Sequence, residues 1–217
     1  MSRGLMYPIG NTIIRACTRL FARHEVEGIE NVPSSGPLLV ISNHLSNVDP
    51  SLLGISLPRD LHFLAKQELF RLPVIRNILR SYGAFPIHRD GRDIRAMKWA
   101  LGLLENGNAL AVFPEGTRKP QGLGKFNLGA ALLHLRSGAP ILPVAITGTS
   151  HLISSARIFS PTGAIKVRIG DPFALNTKGV DTKRESLEDL TQQIVEKIAV
   201  LLPPSYHGIY AKDTTSR

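Results

Sequence analysis

With Cys17 as its single cysteine, the 217-residue chain can form no internal disulfide and no cysteine-based zinc site, which suits a reducing, cytosolic setting. Aromatic residues make up only 6%, the basic residues are dispersed, and no zinc-knuckle, RNP-like or basic-zipper pattern is present, so nucleic acid is not an expected partner. No run reaches the roughly 18 consecutive apolar residues of a spanning helix, which excludes an integral protein by that route. A cleaved secretory leader is not expected either, because charge interrupts the first apolar residues and no Ala-x-Ala site follows them. Acidic residues are scarce relative to basic ones, 17 against 26, leaving a formal charge of +9. Such an excess favours partners that carry phosphate, whether anionic lipid or a small phosphorylated substrate. What remains is an ordinary globular composition, 43% hydrophobic and 20% charged, in a length sufficient for one well-filled domain.

The amino-terminal segment 1–24 reads as a basic amphipathic helix. Leu5, Ile9, Ile13, Cys17 and Leu20 recur at helical spacing, with Met6 and Phe21 beside them, while Arg15, Arg19 and Arg23 fall four apart on another face. Like charges at that spacing repel in an isolated helix but become favourable beside anionic headgroups. The helix therefore either anchors to a membrane surface or packs its apolar face on the domain. From residue 25 to 204 strand-like and helix-like stretches alternate without a long linker or repeat, predicting a single α/β domain. Strands are expected near 25–30, 38–42, 61–65, 84–87, 109–113, 141–147 and 165–169, and helices near 50–57, 68–82, 93–105, 128–136 and 183–202. The sheet should be mostly parallel, roughly seven-stranded and flanked by helices. Residues 205–217 read as a tail.

The chemistry-bearing residues cluster where strands end. Asn43-His44-Leu45-Ser46-Asn47-Val48-Asp49 follows the second strand, and Phe113-Pro114-Glu115-Gly116-Thr117-Arg118 follows the fifth. Open α/β sheets build their sites at strand carboxyl ends. Taken alone, Asp49-Pro50 also fits a helix N-cap with proline at the first helical position. Arg89, after Gly83-Ala84-Phe85-Pro86-Ile87-His88, reaches the same rim, as does Lys66 after the third strand.

Together these blocks resemble the glycerolipid acyltransferases typified by 1-acylglycerol-3-phosphate acyltransferase. Four blocks of that family stand in order: Asn43 to Asp49, Gly83 to Arg89, Phe113 to Arg118, and Leu142-Pro143-Val144-Ala145-Ile146. The resemblance implies that the first block is catalytic, that the second and third bind the phosphorylated acceptor, and that Pro143 and Val144 help shape the acyl-donor site. His88 departs from the family pattern, where aspartate is frequent, and bears on acceptor preference.

Residue chemistry agrees. Acyl transfer from a thioester to an alcohol needs a base, and His44 supplies one, with Asp49 fixing its tautomer. No acyl-enzyme is required, and no Gly-x-Ser-x-Gly elbow is present. Arg89 and Arg118 offer forked donors for a phosphate, with Lys66 and Lys125 in support. Glu115, with Gly116 and Thr117, either binds the acceptor or orients Arg118 and the turn. No cofactor or metal is expected beyond the co-substrate, acyl-coenzyme A or acyl carrier protein. The expected partners are a lysophospholipid and an anionic membrane surface, with the protein peripheral on the cytoplasmic face. The alternatives are an acyltransferase acting on a different lysolipid, a noncatalytic module binding anionic headgroups, and a metal-dependent hydrolase using His44, Asp49 and His88.

Overall fold

The computed structural model of the protein describes residues 6–88, 93–177 and 179–211. Its second strand, β2 (Leu38–Ser42), explains the architecture. Five buried residues in succession leave no polar face for water, so both faces of the strand must be covered by other elements. Odd and even positions divide accordingly. Leu39 and Ile41 enter one core with α4 (Ile94–Glu105), α5 (Gly129–Ser137) and α6 (Arg184–Ala199), while Leu38 and Val40 enter another with Leu53 and Leu57. Leu53 lies on α2 (Asp49–Ser56), over which α1 (Met6–Phe21) packs through Ile14.

The other strands are β1 (Ala22–Glu27), β3 (Leu61–Lys66), β4 (Ala84–Ile87), β5 (Ala109–Val112), β6 (Ile141–Thr147) and β7 (Gly163–Ile169). They form one sheet in the order β1-β7-β6-β2-β5-β3-β4. Every neighbouring pair is parallel except β6 with β7. The expected single α/β domain with a mostly parallel seven-stranded sheet and a leading helix is thus the observed fold. Because β2, β3, β4, β5 and β6 run the same way, their carboxyl ends share one rim, and β7 begins there.

Three local expectations need correction. The helix expected over 68–82 is broken: a 3₁₀ turn, Gln67–Arg71, precedes α3 (Pro73–Ser81), and Leu72 between them is extended at φ −83° and ψ 122°. Pro73 forces this, since its ring disfavours helical geometry in the residue before it. The leading helix stops at Phe21, so residues 22–24 belong to β1, whose alternating burial suits an edge strand paired with β7. Nor is the segment from 205 to 211 a free tail. Leu123 N–H donates to the Tyr206 carbonyl at 2.9 Å and Ile209 N–H to the Leu123 carbonyl at 3.0 Å, while residues 212–217 lie outside the described ones. For α1, where two placements were open, the apolar face is not the one packed on the domain. Tyr7, Ile14 and Thr18 are buried and Arg15 donates to the Ile55 carbonyl at 3.0 Å, leaving Met6, Ile9, Ile13, Leu20 and Phe21 exposed.

Candidate active site

The chain leaving β2 is held to β6 beyond their last ladder pair, Ser42 with Val144. Buried Asn43 does this with its amide, donating from Nδ2 to the Ile146 carbonyl at 2.9 Å and accepting the Ile146 N–H at Oδ1 at 2.8 Å. One side chain thereby satisfies both backbone groups of Ile146, and the loop that follows starts from a fixed point.

His44 comes next. Its Nδ1 lies 2.9 Å from Asp49 Oδ2. An ionised carboxylate only accepts, so the imidazole carries its proton on Nδ1 and presents Nε2 as a lone pair. The ring stacks on Phe113, with centroids 4.3 Å apart and planes 29° apart, and the side chain is 13% exposed. Among the described residues none hydrogen-bonds Nε2.

Asp49 is the first residue of α2, yet its carboxylate does not cap that helix. It turns back, with Oδ2 accepting also from Leu45 N–H and Ser46 N–H at 2.7 Å each, and Oδ1 accepting the Thr149 hydroxyl at 2.7 Å. A fully buried carboxylate needs such donors to offset its desolvation. Ser46 is also structural: its hydroxyl donates to the Leu152 carbonyl, and Asn47 Nδ2 donates to the Ile153 carbonyl at 2.8 Å.

The loop after β5 closes on the same point. The Gly116 N–H donates to the Phe113 carbonyl at 3.1 Å, in a tight turn where Gly116 takes φ +68°. Glu115 is thereby directed inward, accepting His44 N–H at 2.8 Å with Oε2 and Gly124 N–H at 3.0 Å with Oε1. Burial pushes its carboxyl up from 4.5 to about 7, an effect that the two backbone donors and Lys119 oppose and the Asp49 charge reinforces. Lys119 N–H donates to the His44 carbonyl at 2.6 Å, so Arg118 stands one residue from a direct bond to the histidine's own backbone.

The remaining expected residues are placed unequally. Thr117, Arg118 and Lys125 are exposed on this loop, while Gly116 is half-buried. Lys66, at the end of β3, is exposed but engaged with Glu68 at 3.6 Å. Arg89 lies outside the described residues; the strand leading to it, β4, stands three strands from β2, roughly 14 Å at the usual spacing. Pro143 and Val144 are buried inside β6, where Val144 packs in the core beside Leu38 and Val40. His88 is exposed, and its N–H donates to Asp93 at 3.0 Å.

A histidine locked by a buried carboxylate, closed over by a Phe-Pro-Glu-Gly-Thr-Arg loop, coincides with a family match: the sequence profile of the acyltransferase family covers residues 23–147. The chain belongs to the acyltransferase family. Its similarities extend over most of its length. It is 28% identical over 197 residues to the 1-acyl-sn-glycerol-3-phosphate acyltransferase of Bacillus subtilis, covering 90% of this chain and 96% of that one. It is 34% identical over 148 residues to the chloroplastic 1-acyl-sn-glycerol-3-phosphate acyltransferase BAT2 of Brassica napus, covering 66% of this acyltransferase but only 41% of the plant protein. The crystal structure of PlsC, the 1-acyl-sn-glycerophosphate (LPA) acyltransferase of Thermotoga maritima, aligns with a TM-score of 0.70 at 30% identity, covering 90% of this chain and 79% of that one.

Three contributors to this acyltransferase's site escaped the sequence reading. Phe113 is part of a recognised block, but its role as a platform under His44 depends on a contact between separate strands. Asn43 has the same history. Thr149 carried no signal beyond a small hydroxyl residue just after β6, in a stretch that reads as an ordinary turn.

Proposed function

We propose that this acyltransferase moves a fatty acyl group from a thioester, on coenzyme A or acyl carrier protein, to the 2-hydroxyl of 1-acylglycerol 3-phosphate at a membrane surface. The observation carrying this reading is the His44 ring, fixed by Asp49 with Nε2 directed away from it, under a loop that bears Arg118. In the reaction the acceptor hydroxyl oxygen attacks the thioester carbonyl while Nε2 takes its proton. The carbon–sulfur bond then breaks, and the departing thiolate recovers the proton as a free thiol. Asp49 stabilises the imidazolium in between. Arg118 and Arg89, with Lys125, hold the acceptor phosphate, and Lys66 joins them when released from Glu68. Glu115 acts by clasping the His44 loop rather than by touching phosphate. Pro143 and Val144 influence the donor site through the shape of β6, since both are buried.

A lipid surface as the place of action is supported by what lies exposed. Besides α1, the segment from Gln67 to Ser81 exposes Leu69, Leu72, Val74, Ile75 and Ile78, with Arg71 and Arg80 among them, and α3 has no buried residue. Apolar residues interleaved with arginine suit an anionic bilayer, with the protein peripheral on the cytoplasmic face. Among the described residues no helix is long and apolar enough to cross a membrane. The test is release of free thiol from a panel of acyl-coenzyme A and acyl carrier protein donors, crossed against acceptors with and without a terminal phosphate. Turnover only with a phosphorylated lysolipid is expected; vesicle binding without thiol release from any donor would leave the headgroup-binding module instead.

A further inference from the structure

We infer that Thr149 is a positioning residue of the acyl-transfer site, holding Asp49 in the orientation that orients His44; the inference rests on the general-base reading above. The Asp49 carboxylate has one oxygen, Oδ2, shared among His44 Nδ1, Leu45 N–H and Ser46 N–H, all within its own loop. Its other oxygen, Oδ1, receives the Thr149 hydroxyl, at 2.7 Å and across 100 residues of sequence. The three local bonds fix Oδ2 only relative to its own loop, so loop and carboxylate can still shift together. The Thr149 bond ties its far oxygen to a different segment, the turn after β6, and so anchors the carboxylate that meets the imidazole to the rest of the domain.

Thr149 itself is held firmly. It is fully buried, and its carbonyl accepts Leu152 N–H at 2.8 Å. The preceding Gly148 takes φ +82° and donates its N–H to the Tyr206 hydroxyl at 3.2 Å. Even a Cβ at Gly148 would stand only 1.9 Å from the Ala164 carbonyl oxygen, so the turn is pressed against β7. The same turn receives Ser46 and Asn47 on the carbonyls of Leu152 and Ile153, giving three side-chain ties between it and the histidine loop. Of these, Thr149 alone reaches a group that touches His44, and rigid support of this kind is what keeps reacting groups within productive geometry.

The test compares Thr149→Val, which keeps shape and loses the donor, with Thr149→Ser, which keeps the donor. T149V is expected to lower kcat by about 10-fold, the effect of one lost hydrogen bond to a charged group, with donor and acceptor KM within about 2-fold of wild type. T149S is expected to restore most of the turnover, and in an Asp49→Asn background T149V should add nothing further. Without any substrate, the low-field proton resonance of His44 Nδ1–H should move in T149V and stay in T149S, so the inference remains readable if the substrate assignment fails. Should T149V fold poorly, Thr149→Cys, a weak donor of similar volume, takes its place in the comparison with T149S. Wild-type kcat in T149V, equal impairment in T149S, a full further loss in the D49N background, or an unmoved resonance would each overturn the assignment.

Discussion

Glu115→Gln is expected to abolish a pH dependence of stability that the wild-type fold carries at one buried carboxyl. The side chain is 5% exposed and both its oxygens accept backbone N–H groups, so the amide keeps one of these bonds and sets its NH2 against the other donor, a cost that does not vary with pH. A carboxyl lifted from 4.5 to about 7 by burial prefers its proton in the folded state. Its contribution to stability is therefore complete at low pH and is lost as pH rises through the folded value. The whole loss amounts to about 3 kcal/mol at the usual conversion between pKa and free energy, most of it falling between pH 5 and pH 7.5. Glutamine does not ionise and lacks this term. Urea unfolding of both proteins at a series of pH values, extrapolated to water, isolates the effect because every other titrating group is common to the pair. E115Q should gain on wild type by about 2 to 3 kcal/mol between pH 5 and pH 8. A gap that stays constant across that range, or that closes in the opposite direction, would refute the argument that burial dominates over the two N–H donors.

Replacing His44 by alanine should cut kcat by at least about 10²-fold while lysolipid binding, followed by equilibrium titration, persists; unchanged turnover would remove it as the base. Arg118→Ala should raise the acceptor KM with little change in donor KM, and an effect on the donor alone would move the phosphate elsewhere. The pair Leu72→Glu and Val74→Glu should weaken cosedimentation with anionic vesicles without lowering the unfolding midpoint, since both side chains are exposed; retained vesicle binding would exclude the Gln67 to Ser81 segment from the lipid contact.

Much of this protein was legible because its central strands are unambiguous. The run Leu38 to Ser42 and the run Ile141 to Thr147 are apolar on both faces, and the bounds expected for those strands are the observed ones. The blocks after the strands at 38–42 and 109–112 announced His44, Asp49 and the Phe113 to Arg118 loop, and the family profile covers them. Harder to read was α1, where helical periodicity found an apolar face correctly but could not say which face the domain would take. Thr18 turns inward and the exposed Arg15 reaches back to the Ile55 carbonyl, a partner 40 residues away.

Sequence alone therefore determined which segments extend, which coil, and which side chains with acid, base or cationic character follow the strands, since these follow from the nearest few residues. The tertiary structure alone decided the strand order, the antiparallel turn of β7 beside β6, and the meeting of Asp49 with Thr149 and of His44 with Phe113 and Glu115. Those contacts join residues far apart along the chain. Their existence depends on how whole strands choose neighbours, a choice made by the total burial and hydrogen bonding of the sheet and not by any local pattern.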